Sequence, residues 1–160
     1  LAEMTQIVYA TLEAGHPVAW ASDVSEKGFN GGKAIGVIPE SVEKNLIGSD
    51  AEKWGKLSEA EKRAKINNLE GPMKEMTITQ EMRQEAFDNY QSTDDHGMVI
   101  VGTAEDQAGN PFFKVQNSWG ESGPYKGFYY FSRPFVEYKT MDIMVNKNLI
   151  PKDIKKKMGL

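Results

Sequence analysis

The sequence predicts an α+β fold, with helices in its first half and an antiparallel sheet in its second. Three observations carry this. A helical pattern is already under way at the first residues, where Met4, Ile7, Val8 and Leu12 share one face and Gly15 stands where a helix C-cap belongs. Ten of the sixteen aromatic residues lie between Phe112 and Tyr138. Short β-prone runs separated by turn residues fill that stretch, and helices followed by a run of strands make an α+β arrangement.

The first helix is expected over Ala2–Ala14. Pro17–Val24 ("PVAWASDV") alternates and is β-prone, so it reads as a strand. Ser25–Gly36 is a glycine-rich loop. It is not a phosphate loop, because the residue five before Gly32 is Lys27 and Lys33 is followed by Ala34 rather than Ser or Thr. Pro39–Leu69 is polar and charged, and Ser58 with Glu61 three residues on is a capping-box signal for an exposed helix. Thr77–Tyr90 reads as a short helix, with Met82 and Phe87 as its core contacts. "HGMVIVGTA" (96–104) is a strand. "EDQAGN" (105–110) is a turn, with Gly109 and Asn110 tolerating positive φ. "PFFKVQNSW" (111–119), "GFYYFSRPF" (127–135) and "TMDIMVNK" (140–147) continue an antiparallel meander, with Pro134 as a break between the last two. The domain divides into residues 1–38 (helix and strand), 39–90 (helical insertion), 91–148 (sheet) and 149–160 (tail).

Composition narrows the chemistry. The 39% hydrophobic content and 10% aromatics suffice for a core. A net charge of -4 lacks the basic footprint of a phosphate binder, so no nucleic-acid partner is expected. No apolar run approaches the ~20 residues that span a bilayer, so no membrane partner is expected either. The chain has no cysteine, which excludes disulfides and thiolate metal sites. The two histidines, His16 and His96, are far apart and show no ligand spacing, so neither a metal nor another cofactor is expected. Leu1 falls inside a helical pattern, which suggests a fragment of a longer parent.

His96 opens an apolar strand, and Asn117 lies at the end of the next. Imidazole has an unperturbed pKa of about 6.5 and exchanges protons near neutrality. It works as a base only when the correct ring nitrogen faces the reacting group, and an amide oxygen on the other nitrogen fixes that tautomer. Trp119, two residues beyond Asn117, falls on the same strand face and could roof the His–Asn hydrogen bond. From these residues alone, a hydrogen-bonded structural histidine and a turn with an aromatic anchor stand as the alternative.

"DDHGMVIVG" followed by "FFKVQNSWGESGPYKGFYYF" resembles the His and Asn strands of the papain-like cysteine peptidases. His96–Gly97, Asn117–Ser118–Trp119–Gly120 and Gly127–Phe128 match that family's pattern, and "GHPVAWASDV" resembles the strand that opens its right-hand domain. "RQEAFDNYQSTDDHGM" and "YKTMDIMVNKNLIPKDI", with the helical insertion, resemble the bleomycin hydrolase/aminopeptidase C branch.

The resemblance implies the right-hand, antiparallel β domain of a papain-like peptidase, with His96 and Asn117 catalytic and Trp119 supporting them. Papain-like chains carry the nucleophilic Cys near the mature N-terminus, with the His roughly 130 residues downstream. Only 95 residues precede His96 here. The Cys and the oxyanion-hole Gln would therefore lie in a missing N-terminal half, and this chain alone would be inactive. In the parent, peptide bonds would be cut through a Cys-His-Asn triad. The resemblance further implies a peptide substrate, a cytoplasmic setting and assembly into a homo-oligomer. In this branch the C-terminal tail lies in the cleft and makes the enzyme an aminopeptidase. Here only "KKKMGL" follows Ile154, a shorter and more basic ending that puts this restriction in question. Lys152, Lys155, Lys156 and Lys157 otherwise serve to keep a helix end soluble. The rival function is a papain-like binding domain whose parent lacks the nucleophile.

Overall fold

The computed structural model describes residues 1–26, 28–40 and 70–160, together with 56, 58, 60, 61, 64 and 68. Seven strands are described: β1 (Val18–Ser22), β2 (Phe29–Asn30), β3 (Ile35–Gly36), β4 (His96–Glu105), β5 (Pro111–Gln116), β6 (Phe128–Ser132) and β7 (Thr140–Met144). They form one sheet in the order β2-β3-β6-β5-β4-β1-β7. Among the described residues the complete helices are α1 (Ala2–Glu13), α2 (Gln80–Asp88), α3 (Arg133–Lys139) and α4 (Lys152–Met158), with a 3₁₀ turn at Lys147–Leu149. This is a mixed α+β architecture. No helix among the described residues is long and apolar enough to cross a membrane.

Helix α1 forms where its pattern places it. Ile7 and Val8 are buried, and Met4 and Leu12 are half-buried. Gly15 ends it at φ +77°, with its N–H on Leu12 O (2.9 Å) and the His16 N–H on Thr11 O (3.1 Å). This pair of bonds is the Schellman closure that a glycine after the C-cap permits.

One face of the sheet carries the core. Val18 and Trp20 from β1, Met98 and Ile100 from β4, Phe113 and Val115 from β5, and Tyr129 and Phe131 from β6 cluster with Val8 of α1 and Phe135 and Val136 of α3. The Trp20 Nε1–H donates to Thr140 Oγ1 at 2.8 Å, so the indole is buried without losing its hydrogen bond. A smaller cluster of Ile7, Ile150 and Ile154 fastens α4 to α1. Lys157 Nζ adds a bond to Glu3 Oε1 at 2.6 Å.

Several expectations need correction. The glycine-rich stretch 25–36 contains the paired strands β2 and β3, and β3 runs parallel to β6. Gly36 is required there, since a Cβ would stand 2.3 Å from Phe131 Cδ1. The 127–135 run is not one strand. Ser132 caps a helix, its Oγ accepting from the Phe135 N–H at 3.2 Å, and Pro134 sits in the first turn of α3, where its missing N–H costs nothing. The run from Thr140 does not continue the meander. It pairs as β7 with β1, at the far edge of the β4–β5–β6 hairpins. Phe87 is 58% exposed, and Ala86 is the buried residue of α2. In the 105–110 turn Gly109 has φ +80°, whereas Asn110 serves through its side chain, donating to Asp106 Oδ2 at 2.7 Å. Ser58 and Glu61 do exchange both capping-box bonds, Ser58 N–H to Glu61 Oε2 (2.8 Å) and Glu61 N–H to Ser58 Oγ (3.3 Å). Of the expected helical insertion, residues 41–55 and several between 57 and 69 lie outside the described residues, and its last part forms α2.

Candidate active site

Strands β4 and β5 pair antiparallel, with Val99 opposite Gln116, so the first residues of β4 lie beside the chain leaving β5. This register brings together two residues 21 positions apart in sequence. His96 Nε2 and Asn117 Oδ1 are 2.7 Å apart. Asn117 is 5% exposed, and its backbone N–H donates to Gly127 O at 2.9 Å, which pins the end of β5 to the start of β6.

The amide orientation follows from a second bond. The Ser118 backbone N–H donates to the same Asn117 Oδ1 at 2.7 Å. Turning the amide over would set an NH₂ against that N–H, donor against donor. Oδ1 therefore faces His96, and an oxygen there requires the proton on Nε2. The imidazole is held with Nε2–H donating to Asn117, which leaves the Nδ1 lone pair as the basic site. Asn117 Nδ2 is buried with no hydrogen-bond partner among the described residues.

Trp119 is not on the strand face. β5 ends at Gln116, and Trp119 lies in the turn beyond it, 48% exposed. Its ring centroid is 4.7 Å from that of His96, at an interplanar angle of 40°. Phe29 and Tyr129 meet the indole in T-shaped contacts at 6.0 and 5.9 Å. The tryptophan therefore flanks the imidazole and remains about half exposed.

Sequence reasoning missed two features of this region. Asp95, just before His96, accepts the Val24 N–H (2.9 Å) and the Ser25 Oγ–H (2.6 Å), tying the strand entrance to the end of β1. Lys139 is buried, 3% exposed, against an equally buried Asp23. A signal for the second existed, since Lys139 follows Phe135 by four residues and Val136 by three, on the buried face of α3. Among the described residues no cluster of His, Asp and Glu could hold a metal ion. Beside the pair, on the face of the sheet opposite the core, lies an open depression of about 390 Å³ lined by Ala19, Ala21, Gly97, Val99, Asn117 and Met144, among others.

Comparison with known proteins places the chain. Residues 40–159 match the model of the Peptidase C1-like family. The chain is 31% identical over 74 residues to aminopeptidase C of Lactobacillus helveticus, covering 46% of this chain and 16% of that protein. It is 34% identical over 58 residues to aminopeptidase G of Lactobacillus delbrueckii subsp. lactis, covering 36% of this chain and 13% of that one. The crystal structure of PepW from Lactobacillus rhamnosis HN001 superposes on 99% of this chain and 30% of its own, with a TM-score of 0.60 and 22% identity. The chain thus spans well under half the length of the relatives it matches, and the last of these shows likeness of fold. On these matches and this fold, the chain belongs to the Peptidase C1-like family, in its aminopeptidase C/bleomycin hydrolase branch.

Proposed function

We propose that this chain supplies the base and the orienting amide of a cysteine peptidase whose nucleophile comes from a papain-like half outside these residues. One observation carries the reading: Ser118 N–H and His96 Nε2 share Asn117 Oδ1, which leaves His96 Nδ1 free to face a thiol. The depression beside His96 supports it, because the small side chains of Ala19 and Ala21 and the bare backbone of Gly97 leave room there for another element.

In the reaction, the thiol proton rests on His96 Nδ1 as a thiolate–imidazolium couple. The thiolate sulfur attacks the peptide carbonyl carbon, a C–S bond forms, and the carbonyl π pair moves to oxygen. Collapse breaks the C–N bond, and the leaving nitrogen takes the Nδ1 proton. Water then attacks the thioester while Nδ1 removes its proton, and the thiolate departs to restore the starting state. Asn117 keeps the ring in register through both halves, and Trp119 screens one face of it. The substrate class is a peptide.

The tail bears on the choice between aminopeptidase and endopeptidase. α4 is fastened to α1 by Ile154 and by the Lys157–Glu3 bond, so residues 152–158 have their contacts on α1. The test is fluorophore release from a free-amino aminoacyl substrate and from an N-blocked peptide, using this chain joined to its cysteine-bearing half, with and without thiol alkylation. Alkylation-sensitive turnover is expected, and preference between the two substrates decides the exopeptidase question. No turnover on either would leave a papain-shaped binding domain.

A further inference from the structure

Lys139 is the last residue of α3, and burying its ammonium would be costly without partners. It has four. Nζ lies 3.0 Å from Ser92 Oγ, 3.2 Å from Gln91 O, 3.4 Å from Asp23 Oδ2 and 3.0 Å from Glu26 Oε2. Asp23 in turn accepts the Thr93 N–H through Oδ2 (3.2 Å) and the Ser25 N–H through Oδ1 (2.8 Å). The backbone joins in, since the Asp23 N–H and Ser22 Oγ–H both bond Lys139 O at 3.1 Å. One side chain thus gathers two segments, 22–26 and 91–93.

Both segments lead to His96. Residues 91–95 run directly into it, and Ser22 is its partner across the β1–β4 ladder. The clasp has a reciprocal arm. Arg83 of α2 bonds the carbonyls of Glu137 and, at 2.8 Å, Thr140, so α2's cation caps the end of α3 while α3's cation holds the loop that follows α2. A buried ion pair adds little stability over a well-packed apolar residue of similar size. An apolar residue, however, could not specify four acceptors from two separate loops.

We propose that Lys139 is a positioning residue for His96: its buried ammonium fixes the two segments that set where the imidazole stands. This deepens the proposed function, since it concerns the same base, but its readout does not depend on turnover. The probe is the His96 Nε2–H resonance of this chain, observed by ¹H–¹⁵N spectroscopy with its solvent exchange rate, alongside thermal melting. Lys139→Met is expected to stay folded while its Nε2–H exchange rises by about tenfold or more, reporting local opening, and Lys139→Arg is expected to restore protection in part. Ser92→Ala removes one acceptor at low risk to folding and is expected to give a smaller increase of the same sign. A folded Lys139→Met with unchanged Nε2–H shift and exchange would overturn the proposal. If Lys139→Met does not fold, an unchanged signal in Ser92→Ala would overturn it equally.

Discussion

Asn117 Oδ1 lies 2.7 Å from His96 Nε2, and the pair is oriented by a backbone N–H that neither residue supplies. Two substitutions separate the roles. His96→Ala in the chain joined to its cysteine-bearing half removes the proton acceptor, and general-base assistance is typically worth about 10²–10⁴-fold. Turnover should fall by at least that much, with a melting curve close to wild type because His96 stands at a strand entrance. Asn117→Ala leaves the base but frees its ring, so the loss in kcat should be smaller. A His96→Ala enzyme with retained turnover would remove His96 from the mechanism.

Trp119→Ala should cost less than the loss of a core tryptophan. Full burial would put that loss at about 3–5 kcal/mol, but the indole is 48% exposed. Roughly half, about 1.5–2.5 kcal/mol, is expected from denaturant unfolding. The imidazole would lose its flanking ring, so Nε2–H exchange at His96 should rise as well. A loss equal to that of a core residue would show that the ring is more enclosed than its exposure indicates.

Gly127→Ala should damage both the fold and the site. Gly127 has φ +86°, and a Cβ would stand 2.2 Å from Gly120 O, a backbone atom that cannot simply rotate aside. Left-handed strain plus overpacking is worth about 2–4 kcal/mol. Gly127 O also accepts the Asn117 N–H, so the shift passes to the amide that holds His96. Chemical denaturation and the His96 Nε2–H resonance should change together.

The sheet face opposite the core should behave as a sticky surface. Ala19, Ala21 and Val99 lie there beside Met144, which is 72% exposed, and Val101, which is 37% exposed. Contiguous apolar surface of this kind promotes association. Sedimentation velocity should show this chain self-associating as concentration rises, and Val99→Glu should shift it toward monomer without unfolding it. Monomeric behaviour at all concentrations would count against a docking role for this face.

What could be read from the sequence was what local pattern encodes. The α1 face, the Gly15 closure and the strand opening at His96 each rest on spacing within a few residues, and all three appear in the structure. The proximity of His96 and Asn117 was legible because a short turn joins β4 to β5 and leaves little freedom of register. What depends on distant partners was not legible. Thr140–Met144 has the same strand character whether it pairs with β6 or β1, and only the intervening α3 carries it across the sheet. The 127–135 run hid a helix start because Ser132 and Pro134 are equally at home at a strand break and at a cap. The exposure of Phe87 is not legible in the sequence because a nine-residue helix shows too few turns to define its buried side.

The pH dependence of stability should carry a signature of Glu75. Its carboxylate accepts the Ile38 N–H (2.7 Å) and the Ser132 Oγ–H (2.5 Å) through one oxygen. Burial nonetheless pushes its pKa above the ordinary 4.5, outweighing the two hydrogen bonds that pull it down. The folded state therefore keeps the proton to higher pH than the unfolded chain does. Between the two pKa values the native state binds more protons, so stability falls as pH rises through that window, and the penalty is complete above the folded pKa. Glu75→Gln cannot ionise, yet an amide oxygen can still accept from Ile38 and Ser132. The variant should melt higher than wild type at pH 7, and the difference should shrink as pH falls toward and below 4.5. Thermal melts of both proteins across that range check it. A variant that melts lower at pH 7 would show that the charge-assisted bonds from Ile38 and Ser132 outweigh burial.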